Sequence, residues 1–289
     1  MSVARYYAWL SRFQDAARGV RHDTGQHTFT VHRQLRGDDG VFSGDVLHRA
    51  IVEALAATSG AATVTPLEVL DAGCGLGGTL LFLHAAIGAR GTGVTLSPDQ
   101  QTRAAAEARR RGVEDACRFV VRDYDHDLGD LAPAGVDVVI AVESLAHAPA
   151  PVASIGRLAS LLRRGGRLLL VDDVPRDTLP HDDADFRAFR DGWLCPAIAG
   201  EGDLHEALRQ AGLSVVHDVD LTPRLRPRAG AALAARVRLS RLAGAALSRT
   251  SAHVLLDALH GGLMLERLYR RGVVRYRLIV AQRPGDDRP

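Results

Sequence analysis

The chain lacks lysine and asparagine altogether; all 36 of its basic residues are arginine. With 34 acids against them, the formal net charge is only +2. The bias therefore reads as GC-rich coding, not as a surface selected to be basic. Strong attraction to nucleic acid or to a membrane is not expected. Aromatic residues are also few, at 5%. Few of them interleave with the run Arg224, Arg226, Arg228, Arg236, Arg238 and Arg241, which disfavours stacking on nucleic-acid bases. That run fits a solvated helix face with Leu233, Val237, Leu239 and Leu242 on the other side. Binding of an anion such as a diphosphate is the alternative. Cysteine is limited to Cys74, Cys117 and Cys195, with no CxxC and no His/Cys ligand cluster. A reduced, metal-free, cytoplasmic protein is the simplest expectation. No segment reaches the about 20 apolar residues of a membrane span. Met1 to Phe13 lacks the apolar run of a signal peptide.

What the chain does have is 46% hydrophobic residues in a length of 289, enough for a sizeable core in one domain with additions. From residue 67 onward, strand and helix patterns alternate. Strands are predicted at 67–72, 91–96, 117–121, 136–142 and 167–172, and helices at 77–87, 98–111, 151–163 and 203–211. Such alternation implies a parallel sheet covered by helices. A strand at 213–219, helical stretches between residues 224 and 270, and a last strand at 276–281 follow. Before the sheet, Asp45 to Thr58 has helical periodicity, and 36–40 reads as a loop. No internal repeat is present.

Glycine is plentiful, with 29 residues, and its most informative cluster is Glu68-Val69-Leu70-Asp71-Ala72-Gly73-Cys74-Gly75-Leu76-Gly77-Gly78. An apolar strand ends beside an acid, a small-residue turn follows, and a helix begins. The turn lets backbone approach a bound cofactor, and the helix N-terminus offers free N–H groups. Gly73, Gly75 and Gly78 also fit the spacing of a dinucleotide site. An NAD(P)-dependent oxidoreductase would need an acid after the second strand, where the chain reads Gly93-Val94-Thr95-Leu96-Ser97. Asp71 would repel a pyrophosphate and suits a cofactor with a cationic amino-acid end.

Asp71-Ala72-Gly73-Cys74-Gly75 resembles the first motif of class I S-adenosylmethionine (SAM)-dependent methyltransferases. Gly93 to Gln100 and Asp137 to His147 resemble the second- and fourth-strand segments of the branch with tocopherol, sterol and prenyl-diphosphate methyltransferases. Leu161 to Asp172 resembles the turn and fifth strand found across class I, and Asp220-Leu221-Thr222-Pro223 also fits this branch. The resemblance spans roughly residues 66–282. It implies an α/β fold with a seven-stranded Rossmann-like methyltransferase sheet, mostly parallel, whose last strand is antiparallel and lies between the fifth and sixth. Residues 1–60 would be an N-terminal helical lid. Residues 61–289 would be the SAM-binding core, with 224–270 a helical cap insertion.

The same resemblance assigns candidate roles. Asp71, Gly73 and Gly75 would hold the methionine end of SAM. Thr95 stands where many relatives carry a ribose-binding acid, and Gln100 is its expected partner for the ribose hydroxyls, with an exposed helix start as the alternative. Asp123 would accept the adenine amino group, with Tyr124 nearby, although the Asp-rich stretch 123–130 also suits a solvated turn. Glu143 and His147 are the candidate catalytic residues. Glu143 is costly to bury unpaired, so it is either a tuned base or a structural acid bonded to backbone or the lid. His147 can titrate near neutrality or simply stand near a helix start. Tyr6, Tyr7 and His27, with His22 and His32 nearby, would line the substrate side of the lid. Asp172 and Asp173 end the fifth strand, facing the pocket or capping a turn. The expected partner is a small molecule, C-, O- or N-methylated, and the chain is compatible with a homo-oligomer. The rivals are an NAD(P)-dependent oxidoreductase and a non-catalytic SAM-binding protein.

Overall fold

The computed structural model of the chain describes residues 32–58, 66–126, 128–226, 228, 230–247 and 253–285. Tyr6, Tyr7, His22 and His27 lie outside these residues. A short hairpin, β1 (Leu35–Arg36) and β2 (Phe42–Ser43), precedes helix α1 (Asp45–Ala57). The sheet strands and their helices then alternate: β3 (Glu68–Ala72), α2 (Gly78–Ile87), β4 (Arg90–Thr95), α3 (Pro98–Arg111), β5 (Cys117–Val121), β6 (Val136–Val142), α4 (Pro151–Ser160) and β7 (Leu162–Pro175). Next come α5 (Ala184–Trp193), α6 (Glu201–Gln210), β8 (Ser214–Asp220), α7 (Gly230–Leu247), α8 (His253–Arg270) and β9 (Val274–Gln282).

The large sheet has seven strands in the order β5-β4-β3-β6-β7-β9-β8. The first five in sequence are parallel, and β9 runs antiparallel between β7 and β8. This is the topology expected from the sequence. Strand alternation divides the core between two faces. Val138, Ile140 and Val142 pack with α1, α2 and α3 through Leu47, Ile51, Leu80 and Ala104. Val139 and Ala141 pack on the other face with Ile155 and Leu158 of α4 and Leu204 and Leu208 of α6. The ends of α3 follow their local chemistry: the Ser97 hydroxyl accepts the Gln100 N–H, Pro98 opens the helix, and Gly112 closes it in the left-handed conformation.

Two differences from the sequence reading bear on the site. Helix α5, absent from that reading, joins α7 and α8 in a third cluster built from Phe186, Phe189, Leu233, Val237, Leu263 and Leu268. The helices approach closely because Gly192 of α5 faces Gly261 of α8; a Cβ on Gly192 would meet the Asp257 carbonyl. Helix α5 thus packs with the two helices of residues 224–270. On α7, Leu233 and Val237 are buried as expected, but Leu239 and Leu242 are 66% and 70% exposed. The i, i+4 pair faces α8, and the later leucines rotate away from that contact.

Candidate active site

The chain builds β3, β4 and β5 outward to one side and then returns to place β6 and β7 on the other. Strand order thus reverses between β3 and β6, and ligands of such sheets bind outside the carboxyl ends of the strands at that point. The loops there are Gly73–Gly77 and Glu143–His147.

Asp71 lies within β3, opposite Gly93 and Ile140, and is 2% exposed. Its Oδ2 has no hydrogen-bond partner. Burial pushes its pKa up to about 7, with His32 opposing the rise. After Ala72 the chain bends off β3, and the Gly73 and Cys74 amides both donate to the Val94 carbonyl, at 3.0 and 2.9 Å. Gly73 has φ +85, and a Cβ there would stand 2.5 Å from the Ser144 Cβ. An unsatisfied buried carboxylate oxygen below a backbone cradle fits a cofactor that brings a cationic amino group. Replacing Gly73 by Ala should cost about 1–3 kcal/mol from overpacking alone, with the left-handed φ adding to it. Thermal unfolding of G73A should show a lower midpoint and a smaller SAM-induced shift; a wild-type midpoint would argue against this cradle.

The loop after β6 is tied beneath the glycine turn. Ser144 Oγ donates to the Ala72 carbonyl at 2.7 Å, and the Tyr124 hydroxyl donates to the Ser144 carbonyl at 2.7 Å. Tyr124 is buried, and desolvation drives its pKa upward. Thr95 and Gln100 come together: the Thr95 hydroxyl donates to Gln100 Oε1 at 2.9 Å, and both are buried. Asp123 is the most open of the set. Its Oδ1 accepts the Asp125 N–H at 2.9 Å, and its Oδ2 lies 3.3 Å from His126 Nδ1.

Glu143 sits at φ +50, a conformation that only Leu194 shares among the described non-glycine residues and that costs an ordinary side chain about 1–3 kcal/mol. Its Oε1 accepts from the Tyr276 hydroxyl at 2.7 Å and from the Arg33 amide and Nη1, each at 3.3 Å. Burial alone would raise its pKa. Arg33, His32 and Tyr276 outweigh burial and hold it down at about 2. Arg33 also bonds Asp173 Oδ2 at 2.6 Å and lies over the rings of Trp193 and Tyr276. The Tyr269 hydroxyl donates to Asp173 Oδ1, whose carboxyl burial pushes up against the pull of Arg33. Beside it, Asp172 accepts the Ala146 N–H at 3.1 Å, and burial with Asp173 nearby raises its pKa to about 7. His147 Nδ1 lies 3.3 Å from the Leu194 carbonyl and 3.7 Å from Cys195 Sγ, and burial lowers its pKa. His32 Nε2 lies 3.1 Å from Thr79 Oγ1 at the start of α2. Arg33, Tyr269 and Tyr276 were not singled out from the sequence. One arginine among 36 carries no signal, but two of only five tyrosines converge here.

Residues 69–166 match the family described as methyltransferase domain, and that span holds the glycine turn, the β4 and β5 ends and the Glu143 loop. Over that segment, about a third of the chain, the sequence is similar to methyltransferase domains. A probable tocopherol O-methyltransferase of Oryza sativa is 26% identical over 80% of the chain and 64% of its own length. The chain spans between 56% and 64% of the length of the first curated relatives that it matches. Among solved structures, the [4+2]-cyclase SpnF superposes with a TM-score of 0.71 at 20% identity, over 98% of this chain and 95% of that one. Geranyl diphosphate C-methyltransferase from Streptomyces coelicolor, with Mg2+, geranyl diphosphate and S-adenosylhomocysteine, gives 0.65 at 22% identity, over 97% and 96%. These structural likenesses are likenesses of fold. Among the described residues no helix is long and apolar enough to cross a membrane.

Proposed function

We propose that the protein is a methyltransferase that uses SAM to methylate a small, partly apolar acceptor, such as a secondary metabolite or an isoprenoid-like compound. The observation that carries this reading is the buried, unpartnered Asp71 Oδ2 below the glycine turn, at the reversal of strand order. Asp71, Gly73 and Gly75 would hold the amino-acid end of SAM, Thr95 and Gln100 the ribose, and Asp123 the adenine amino group, with Tyr124 supporting the turn. SAM supplies the methyl carbon, already activated by its sulfonium. The chain's own residues then have to orient the acceptor and exclude water. A lid from residues 1–60, with Tyr6, Tyr7 and His27 on its substrate side, and a cap from 224–270 on the 61–289 core would do both. The three separate, buried thiols favour a reducing cytoplasm.

Glu143 or His147 is the group that would take a proton from the acceptor. If Glu143 does so, Arg33 has to withdraw first, since an acid held near pKa 2 is a poor base at neutral pH. Glu143→Gln and Glu143→Ala should then lower kcat by at least about tenfold with little change in SAM affinity; unchanged turnover in both would remove Glu143 from the reaction. The function itself is tested by turnover of labelled SAM against a metabolite panel, with calorimetry against SAM and NAD. NAD binding without SAM binding would favour the oxidoreductase reading. A second reading, SAM bound without methyl transfer, is favoured by the ion-paired state of Glu143. It predicts tight SAM binding with no methyl gain in any acceptor.

A further inference from the structure

We infer that the cleft between α7, α8 and the segment Thr222–Arg228 takes an acceptor with a long apolar body and one anionic end, the anion held directly by guanidinium groups at the rim. This rests on the proposed methyltransferase reading and names the substrate class of that site. The cleft encloses about 1300 Å³, more than the roughly 300–1,000 Å³ of a drug-sized ligand site. Its walls are leucines, among them Leu225, Leu256 and Leu263. Leu239 and Leu259 also line it, 66% and 54% exposed, apolar surface that a bound ligand would take out of water. At the inner end stand Arg33, Trp193 and Tyr269. Arg33 and Tyr269 reach Asp173, and Arg33 reaches Glu143, so the cleft opens onto the ends of β6 and β7.

The rim is charged one way. Arg226, Arg228, Arg236 and Arg270 line the cleft against a single acid, Glu266. Arg228 is paired with Glu266, and Arg270 donates to the Arg228 carbonyl. Arg226 lies over the Phe42 ring at 5.3 Å, and Arg236 meets no carboxylate among the described residues. In a chain of net charge +2, this local excess is not an average surface. Guanidinium forks bind carboxylate and phosphate bidentately. Among the described residues no cluster of three His, Cys, Asp or Glu side chains stands ready to share a cation, so the positive charge offered to the ligand is arginine. An apolar body would fill the leucine walls, with the anion at the mouth and the reacting end towards Arg33.

Trp193 is a built-in reporter, and Trp9→Phe leaves it the only tryptophan. In that background, tryptophan emission is titrated with dodecanoate, dodecyl phosphate and dodecanol below their aggregation limits, without SAM. We expect saturable binding, with the anions at least about tenfold tighter than the alcohol, as charge-assisted hydrogen bonds require. The order of the two anions distinguishes a carboxylate from a phosphate end. EDTA should change nothing. The double variant Arg226→Gln, Arg236→Gln should bring the anions to within about threefold of dodecanol, while its calorimetric SAM affinity stays that of the parent. Equal binding of alcohol and anions, loss of binding in EDTA, an unaffected double variant, or binding only to anionic vesicles would each overturn the inference. Amphiphile binding with no SAM binding would leave the cleft's anion preference standing and overturn the methyltransferase reading instead.

Discussion

Asp71→Asn is expected to weaken SAM binding by about 100-fold or more in calorimetry while making the unliganded protein more stable. Both effects come from one buried oxygen. In the free protein Asp71 is fully desolvated and its Oδ2 is unpaired, so its pKa rises from 3.8 to about 7. A carboxyl with a raised folded pKa imposes no penalty below its unfolded value. The penalty grows as pH rises from about 4 to 7 and is constant above. At pH 8 its removal should stabilise by up to about 4 kcal/mol, less the cost of an unpaired amide. A cationic amino group turns the same liability into a buried ion pair, whose loss costs about 3–5 kcal/mol. SAM affinity should decline above about pH 8, where the cofactor's own α-amino group loses its charge, and should fall by up to about tenfold per unit below pH 7, where one proton is released on binding. In D71N the slope below pH 7 should vanish. A variant that binds SAM like the parent would remove Asp71 from the cofactor site.

Arg33→Ala is expected to destabilise the protein by about 3–5 kcal/mol, the largest loss among the side-chain truncations considered, because it strands two buried carboxylates. Arg33 bridges Glu143 and Asp173 and is itself covered by Trp193 and Tyr276. Neutralising the whole set, with Arg33→Met, Glu143→Gln and Asp173→Asn together, should recover most of that loss. Acid provides an independent check. Glu143 has a folded pKa of about 2 against an ordinary 4.5, so its contribution is complete above pH 4.5 and disappears as pH falls towards 2. Urea unfolding should therefore show the parent losing about 2 kcal/mol between pH 5 and pH 3 from this group. R33A should show a shallower slope, since its Glu143 keeps only His32 and Tyr276 to depress it against burial. Equal acid sensitivity of parent and R33A would mean that the pair does not hold the loop.

Much of this site could be read from sequence because it depends on short segments. Asp71, Gly73 and Gly75 lie in one strand–turn unit, and alternating strands carry Thr95, Asp123 and Glu143 to the same edge of the sheet. The structure brings Thr95 and Gln100 into contact across five residues. The packing of residues 224–270 was less legible. Leu239 and Leu242 have the same local chemistry as Leu233 and Val237, yet only the latter pair faces another helix. Helix α5 is hidden between a long strand and a Gly/Pro-containing stretch, and its burial depends on Gly192 meeting Gly261.

By itself, the sequence determined the alternating sheet, the glycine turn and the acid beneath it. These follow from hydrophobic period, turn chemistry and residues close together in the chain. Only the tertiary structure decided the state of Glu143. Its partners come from 110 and 133 residues away, on the segment before β1 and on the last strand, and no local pattern links them. A carboxylate's basicity is set by what surrounds it. Burial alone would have raised the pKa of Glu143; an arginine, a histidine and a tyrosine brought in by the fold hold it down.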